Sequence, residues 1–296
     1  EKGRNGTEIS AYSLGRTVDV EGREPAYFPS RETTLKRRLG NLLRVTGRAT
    51  SGMGVPSTGD EAYRRPVRFA VLGPLEVSGE DGPIPLGGPK QRIVLAHLVL
   101  GASQVVSAER LIDALWGEDL PEDPKSALRV YVSRIRSSLD LDSIEAHPPG
   151  YLLRADRDEV DALRFEDLLD EARSNGHEPR ATDRILGEAL ALWRGPAFAD
   201  LASEPSLAGQ IARLEELRLQ AIEEKISAEL DLGHHSRVVV ELETLTRTHP
   251  LRERLWDELM LALYRSDRQG EALAAFERAR TILAEELGID PSRELR

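Results

Sequence analysis

A 34-residue offset superimposes apolar positions across the carboxyl-terminal part of the chain: Ile226 falls on Met260, Leu230 on Tyr264, Val238 on Ala272, Val239 on Leu273 and Leu242 on Phe276. A unit of this length holds two helices and their turns, and it cannot bury its apolar face alone. Neighbouring units must therefore stack. The offset constrains the fold more than composition does, because it fixes element type, element length and packing partner together.

The segments Arg184 to Trp193, Leu207 to Leu232, Arg237 to Thr246, Arg252 to Tyr264 and Glu271 to Leu287 each carry apolar residues at helical spacing, with Gly, His-Pro or short polar turns between them. The offset matches the tetratricopeptide length, in which paired helices stack to leave a groove. Two matched repeats and a degenerate third predict a small solenoid. Trp193 and Trp256 are read as core residues rather than binding platforms. His234 and His235 are read as polar turn residues rather than metal ligands.

Ahead of the repeats the electrical character reverses. From Pro124 to Leu139 there are four Lys or Arg and no acid, in a chain whose net charge is -11. On a helical wheel Leu128, Val132, Ile135 and Leu139 form one stripe to be buried. Ser126, Val130, Ser133, Arg134 and Ser137 occupy the opposite sector, with Arg129 on its flank. Arginine bonds guanine bidentately, small hydroxyls reach bases or phosphates, and valine touches a thymine methyl, so this face has the chemistry of major-groove readout. The competing reading is a solvated surface helix with its arginines outward.

The flanking sequence favours the first reading. Ser107 stands as an N-cap, with Arg110 where a capping-box Glu would be, before Leu111, Ile112, Leu115 and Trp116, and Gly117 closes that helix. Pro121 and Pro124 mark a turn, and Pro124 suits the first position of the next helix. Two short helices so joined, the second basic, make a helix-turn-helix. Upstream, Gly88 to Leu100 supplies a third helix with Ile93, Ala96 and Leu100 inward. His97 there is read as a packed or surface residue, since no second ligand stands at i+4. Val67 to Gly73, Leu75 to Val77 and Ile84 to Leu86 read as short strands, and Ile144 to Arg154 as a hairpin.

Five motifs in order carry a resemblance. Arg68-Phe-Ala-Val-Leu-Gly-Pro-Leu-Glu-Val77, Leu86-Gly-Gly-Pro-Lys-Gln-Arg92, Asp113-Ala-Leu-Trp-Gly117, Tyr131-Val-Ser-Arg-Ile-Arg136 and Pro148-Pro-Gly-Tyr-Leu-Leu153 resemble the amino-terminal domain of the Streptomyces antibiotic regulatory protein family. Ala189-Leu-Ala-Leu-Trp-Arg-Gly-Pro-Ala197, Arg213-Leu-Glu-Glu-Leu-Arg218, His249-Pro-Leu-Arg-Glu-Arg-Leu255 and Met260-Leu-Ala-Leu-Tyr-Arg265 resemble the bacterial transcriptional activation domain of the same family. The similarity covers about residues 67 to 296. It implies a mainly α fold with a small β component: an OmpR-like winged helix at 67–156, then an all-α tetratricopeptide-like domain at 157–296. It also implies an activator of antibiotic biosynthesis genes that binds direct repeats in double-stranded promoter DNA. Two protomers would bind side by side and recruit RNA polymerase holoenzyme. Neither a receiver domain nor the nucleotide-binding domain of larger relatives is expected.

Composition excludes several other classes. The chain has no cysteine, which removes disulfide frameworks, thiolate metal sites and cysteine catalysis. No apolar run approaches membrane-spanning length and no signal pattern opens the chain, so a cytoplasmic, nucleoid-associated protein without membrane contact is expected. Gly82 to Lys90 looks superficially like a phosphate loop, but lacks the Gly-Lys-Ser/Thr ending and is rich in proline. The carboxylates show no spacing that singles out an acid/base pair. No enzyme activity, cofactor or metal is expected.

Residues 1–66 carry 12 basic and 8 acidic side chains, residues 67–156 carry 9 and 13, and residues 157–296 carry 19 and 30. A net-negative DNA-binding half is a poor general polyanion ligand, because non-specific affinity comes mainly from phosphate neutralisation. Affinity should depend on one helix, on Arg154 in the hairpin and on pairing of protomers. Arg129, Ser133, Arg134 and Ser137 are the expected base contacts, Ser126 and Val130 share their face, and Lys125 and Arg136 lie near phosphates. Residues 1–66 read as a disordered extension, in which Leu35 to Arg44 could form a short basic helix touching DNA or a membrane surface. The alternative function is a helical-repeat adaptor whose basic helix docks an acidic protein.

Overall fold

The computed structural model describes residues 67–139, 143–176, 178–293 and 295. The extension expected at 1–66, with the candidate helix Leu35 to Arg44, lies outside the described residues. Those described belong to one compact unit and are mainly helical with two small sheets. Strands β1 (Arg68–Ala70), β2 (Glu76–Gly79) and β3 (Gly82–Pro83) form an antiparallel sheet in which Phe69 pairs with Val77. The third strand is not Ile84 to Leu86, as the apolar run predicts. Pro85 has no N–H to offer a ladder, and only Ile84 donates back, to the Val77 carbonyl at 2.8 Å.

Helix α1 (Pro89–Leu100), strand β4 (Val105–Ser107), α2 (Ala108–Trp116) and α3 (Pro124–Leu139) follow, then β5 (Ile144–His147) and β6 (Gly150–Leu153). Strand β6 lies between β4 and β5, antiparallel to both, so the hairpin is tied to the start of α2. Ser107 caps α2 as expected, its hydroxyl accepting from Arg110 N at 3.2 Å. Gly150 is required where β6 crosses β4: a Cβ there would stand 1.9 Å from the Val106 carbonyl oxygen and 2.7 Å from Ser107 Cα. His97 is buried in α1, 3.2 Å from Ser206 Oγ, and burial pushes its pKa down to about 4.

The remaining helices are α4 (Asp161–Ser174), α5 (Pro179–Leu190), α6 (Ala208–Asp231), α7 (His235–Thr248), α8 (Glu253–Arg265) and α9 (Gln269–Leu287). Helix α4 is absent from the sequence-based set, although Ala162, Phe165, Leu168, Leu169 and Ala172 form its buried stripe. Helix α5 begins earlier than expected and ends before Trp193. That indole is still core: it is 9% exposed, meets Phe165 edge-on at 5.4 Å and lies under the Arg218 guanidinium. Trp256 is buried too, its Nε1 donating to the Pro250 carbonyl at 2.9 Å. His235 opens α7 rather than lying in a turn.

The first sheet is welded to the helical half. Asp161, the first residue of α4, accepts from Val71 N at 2.8 Å and Leu72 N at 3.0 Å. Asp200 accepts from Leu75 N at 2.6 Å and from the Arg92 guanidinium of α1. The backbone closes the joint: Arg194 N donates to Leu72 O, Phe198 N to Val71 O and Ala199 N to Gly73 O. One apolar cluster runs from Phe69, Val71 and Leu98 through Phe165 and Trp193 to Phe198. Each such buried side chain contributes about 1.5–3 kcal/mol, so the helix-turn-helix and α4–α5 share one core.

Candidate nucleic-acid interface

Helix α3 starts where the sequence places it but has a cap that the sequence reading missed. Asp123 accepts from Ser126 N at 3.0 Å, and this backbone hydrogen bond is the main reason its carboxyl is held below the ordinary range. The signal was present, since Asp before Pro at the first helical position is a capping pattern. Leu128, Val132, Ile135 and Leu139 are buried, as the wheel requires. They pack toward α1 and α2, and Trp116 and Tyr131 meet at 6.2 Å beside the turn.

That anchoring leaves the opposite face to solvent. Lys125, Ser126, Arg129, Ser133, Arg134 and Ser137 are exposed, and Val130 among them is 48% exposed, a large apolar side chain left in water. Ser137 Oγ donates to the Ser133 carbonyl at 3.0 Å, so its proton is used inside the helix while its lone pairs face outward. Lys125 and Arg129 form one wall of a cleft of about 310 Å³ whose other wall is His147, Pro148 and Pro149 at the hairpin tip. The turn before α3 is acidic, with Glu118, Asp119, Glu122 and Asp123 all exposed.

Two of the expected site residues have structural partners. Arg136 is half-buried and donates from Nε to the Ile144 carbonyl at 2.7 Å, fastening the first hairpin strand to the helix. Arg154 forms an exposed ion pair with Glu145 across the hairpin, Nε to Oε1 at 2.7 Å. The structure thus leaves Ser126, Val130, Ser133, Arg134 and Ser137 on one exposed face with Arg129 on its flank, puts Lys125 beyond that flank beside the hairpin tip, ties Arg136 to the first hairpin strand and keeps Arg154 within the hairpin. No sequence periodicity could assign the Arg136 bond, because its acceptor is a backbone carbonyl beyond the end of the helix.

The family described as transcriptional regulatory protein, C terminal, matches residues 83–153, and the bacterial transcriptional activator domain matches residues 160–296. The regulatory protein AfsR of Streptomyces griseus is 40% identical over 264 residues, covering 88% of this chain and 26% of AfsR. The regulatory protein DnrI of Streptomyces peucetius is 34% identical over 243 residues, covering 77% of this chain and 89% of DnrI. A solved structure of Mycobacterium tuberculosis EmbR in complex with a low-affinity phosphopeptide superimposes with a TM-score of 0.74 at 38% identity, over 79% of this chain and 64% of that one. The chain thus spans about a quarter of AfsR and less than two thirds of EmbR. No helix among the described residues is long and apolar enough to cross a membrane. An OmpR-like region followed by a bacterial transcriptional activator domain, shared with DnrI over most of that protein's length, makes this chain a member of the Streptomyces antibiotic regulatory protein family of transcriptional regulators.

Proposed function

We propose that the chain is a sequence-specific activator that reads double-stranded promoter DNA with α3. The observation that carries this reading is the exposed face of α3 that holds Arg134, three hydroxyls and an exposed valine, with Arg129 on its flank and a buried stripe behind it. Arg129, Ser133, Arg134 and Ser137 meet base edges, with Ser126 and Val130 beside them. Lys125 meets a backbone phosphate through its ammonium alone, since the Asp123 carboxylate already caps the helix start.

The hairpin acts as the wing, and one DNA strand lies in the cleft between His147 and Arg129. The acidic turn from Glu118 to Asp123 repels DNA on the other side, which orients the duplex. Arg136 works mainly by fixing the wing, and Arg154 contributes less than a free cation because Glu145 offsets it. The working division is a winged helix over 67–156 and an activation domain over 157–296. Two protomers lie side by side on direct repeats, recruit RNA polymerase and control secondary-metabolite genes, without catalysis, at the nucleoid in the cytoplasm.

A mobility-shift titration on promoter fragments at rising salt tests this reading. The expected result is a specific shift whose affinity falls steeply with salt, since each phosphate contact releases a counterion. A helical-repeat adaptor would give no specific shift on any fragment.

A further inference from the structure

The outward face of α3 holds one large apolar side chain, Val130, which is 48% exposed. Three and four positions away on the helix stand Ala127, Ser133, Ser126 and Arg134, so no large apolar neighbour among them covers it. Arg129 lines the cleft under the hairpin tip, which leaves Val130 and Arg134 as successive groups along the outer line of the helix. The valine does little for the free chain, because it keeps apolar surface in water and a β-branched residue is a poorer helix former than alanine. Its stiffness serves a complex instead. A helical valine keeps one rotamer, so its methyl groups stand in place before a ligand arrives.

A duplex offers such a side chain few apolar partners. Along the major groove the base edges present nitrogen and oxygen donors or acceptors, and the C5 methyl of thymine is the apolar exception. Val130 is the seventh of the sixteen residues of α3, in the amino-terminal half that a helix-turn-helix turns to base edges. Four residues of helix advance about 6 Å and one base pair about 3.4 Å, so Val130 and Arg134 span about two base pairs.

We propose that Val130 reads the C5 methyl group of a thymine lying within about two base pairs of the base that Arg134 reads. The assignment rests on the DNA-binding reading of α3 and adds one named base chemistry to it. Cytosine is rejected twice: it lacks the methyl, and its N4 amino group would lose water against the valine without gaining an acceptor.

The test takes the duplex that the unmodified chain enriches from a random pool and replaces each thymine in turn by deoxyuridine, which pairs identically but lacks the methyl. Mobility-shift titration should find one thymine per repeat whose replacement weakens binding about fourfold, the factor that one buried methyl group is worth. That thymine should lie within the stated distance of the position at which Arg134→Ala loses preference. Val130→Ala should bind the thymine and deoxyuridine duplexes equally, with a Tm no lower than that of the unmodified chain. A scan with no sensitive thymine, or a sensitive thymine that stays sensitive in Val130→Ala or lies beyond that distance, overturns the assignment and leaves DNA reading by α3 in place. A lowered Tm for Val130→Ala would give the valine to the fold and overturn it as well. If the pool yields no enriched duplex, the DNA-binding reading fails and this assignment falls with it.

Discussion

Replacing Asp161 by Ala should loosen the helix-turn-helix and the helical half together. The Asp161 carboxylate holds the amides of Val71 and Leu72, two residues with no exposed surface. Alanine would leave both donors without an acceptor in a place water does not reach, at about 1–3 kcal/mol each. Loss of the Arg194 contact adds little, since that group lies 3.8 Å away and is partly solvated. The expected total is roughly 2–6 kcal/mol, or a fall in Tm of roughly 5–20 °C for a unit of this size. The assay is denaturant unfolding followed by both far-ultraviolet circular dichroism and tryptophan fluorescence. Trp116 reports on the helix-turn-helix, Trp193 on the joint and Trp256 on the repeats. The two probes should shift together. A loss below about 1 kcal/mol, or a new early transition confined to one probe, would refute the argument that one core spans the weld.

Further outcomes follow from the buried polar groups and the wing. Burial pushes the Glu258 carboxyl up to about 7, although Arg254 favours its ionised form. The native chain therefore keeps a proton that the unfolded chain loses near pH 4.5, and stability contributed by this group falls as pH rises from there through about 7. Glu258→Gln should be nearly neutral at pH 5 and stabilising by up to roughly 3 kcal/mol at pH 8; equal effects at the two pH values would contradict the sign. Gly150→Ala should cost about 1–3 kcal/mol by forcing β6 away from β4, read as a lowered Tm, and an unchanged Tm would show that the strands separate freely. Arg136→Ala should weaken binding to all DNA sequences alike, because it releases the wing rather than a base contact; a changed base preference in a binding-site selection would count against that role.

Local patterns made much of the fold legible in the sequence. The stripe Leu128, Val132, Ile135 and Leu139 and the Ser107 cap arise from residues within one or two helical turns, where spacing alone determines facing. The repeat pairs are legible for a similar reason, since each unit must present the same apolar positions to its neighbour. The weld was not legible. Asp161 and Val71 are 90 residues apart, and Asp200 and Leu75 are 125 apart, so their partnership has no local signature. Helix α4 was missed with it, because Val160 offers no side-chain cap and Asp161 spends its carboxylate on the distant sheet. The composition of the α3 face was readable, but the ties of Arg136 to Ile144 and Arg154 to Glu145 depend on how the hairpin folds back.

The central claim is that the outward face of α3 chooses the DNA sequence. Selection from a random duplex pool, performed in parallel with the unmodified chain and with Arg134→Ala, tests it most directly. The unmodified chain should enrich a directly repeated motif. Arg134→Ala should lose preference at one base pair in each repeat, a discrimination of about 1–3 kcal/mol or roughly 5- to 150-fold, while other positions keep theirs. Enrichment of the same motif with the same strength by both proteins, or of no motif by either, would contradict the account.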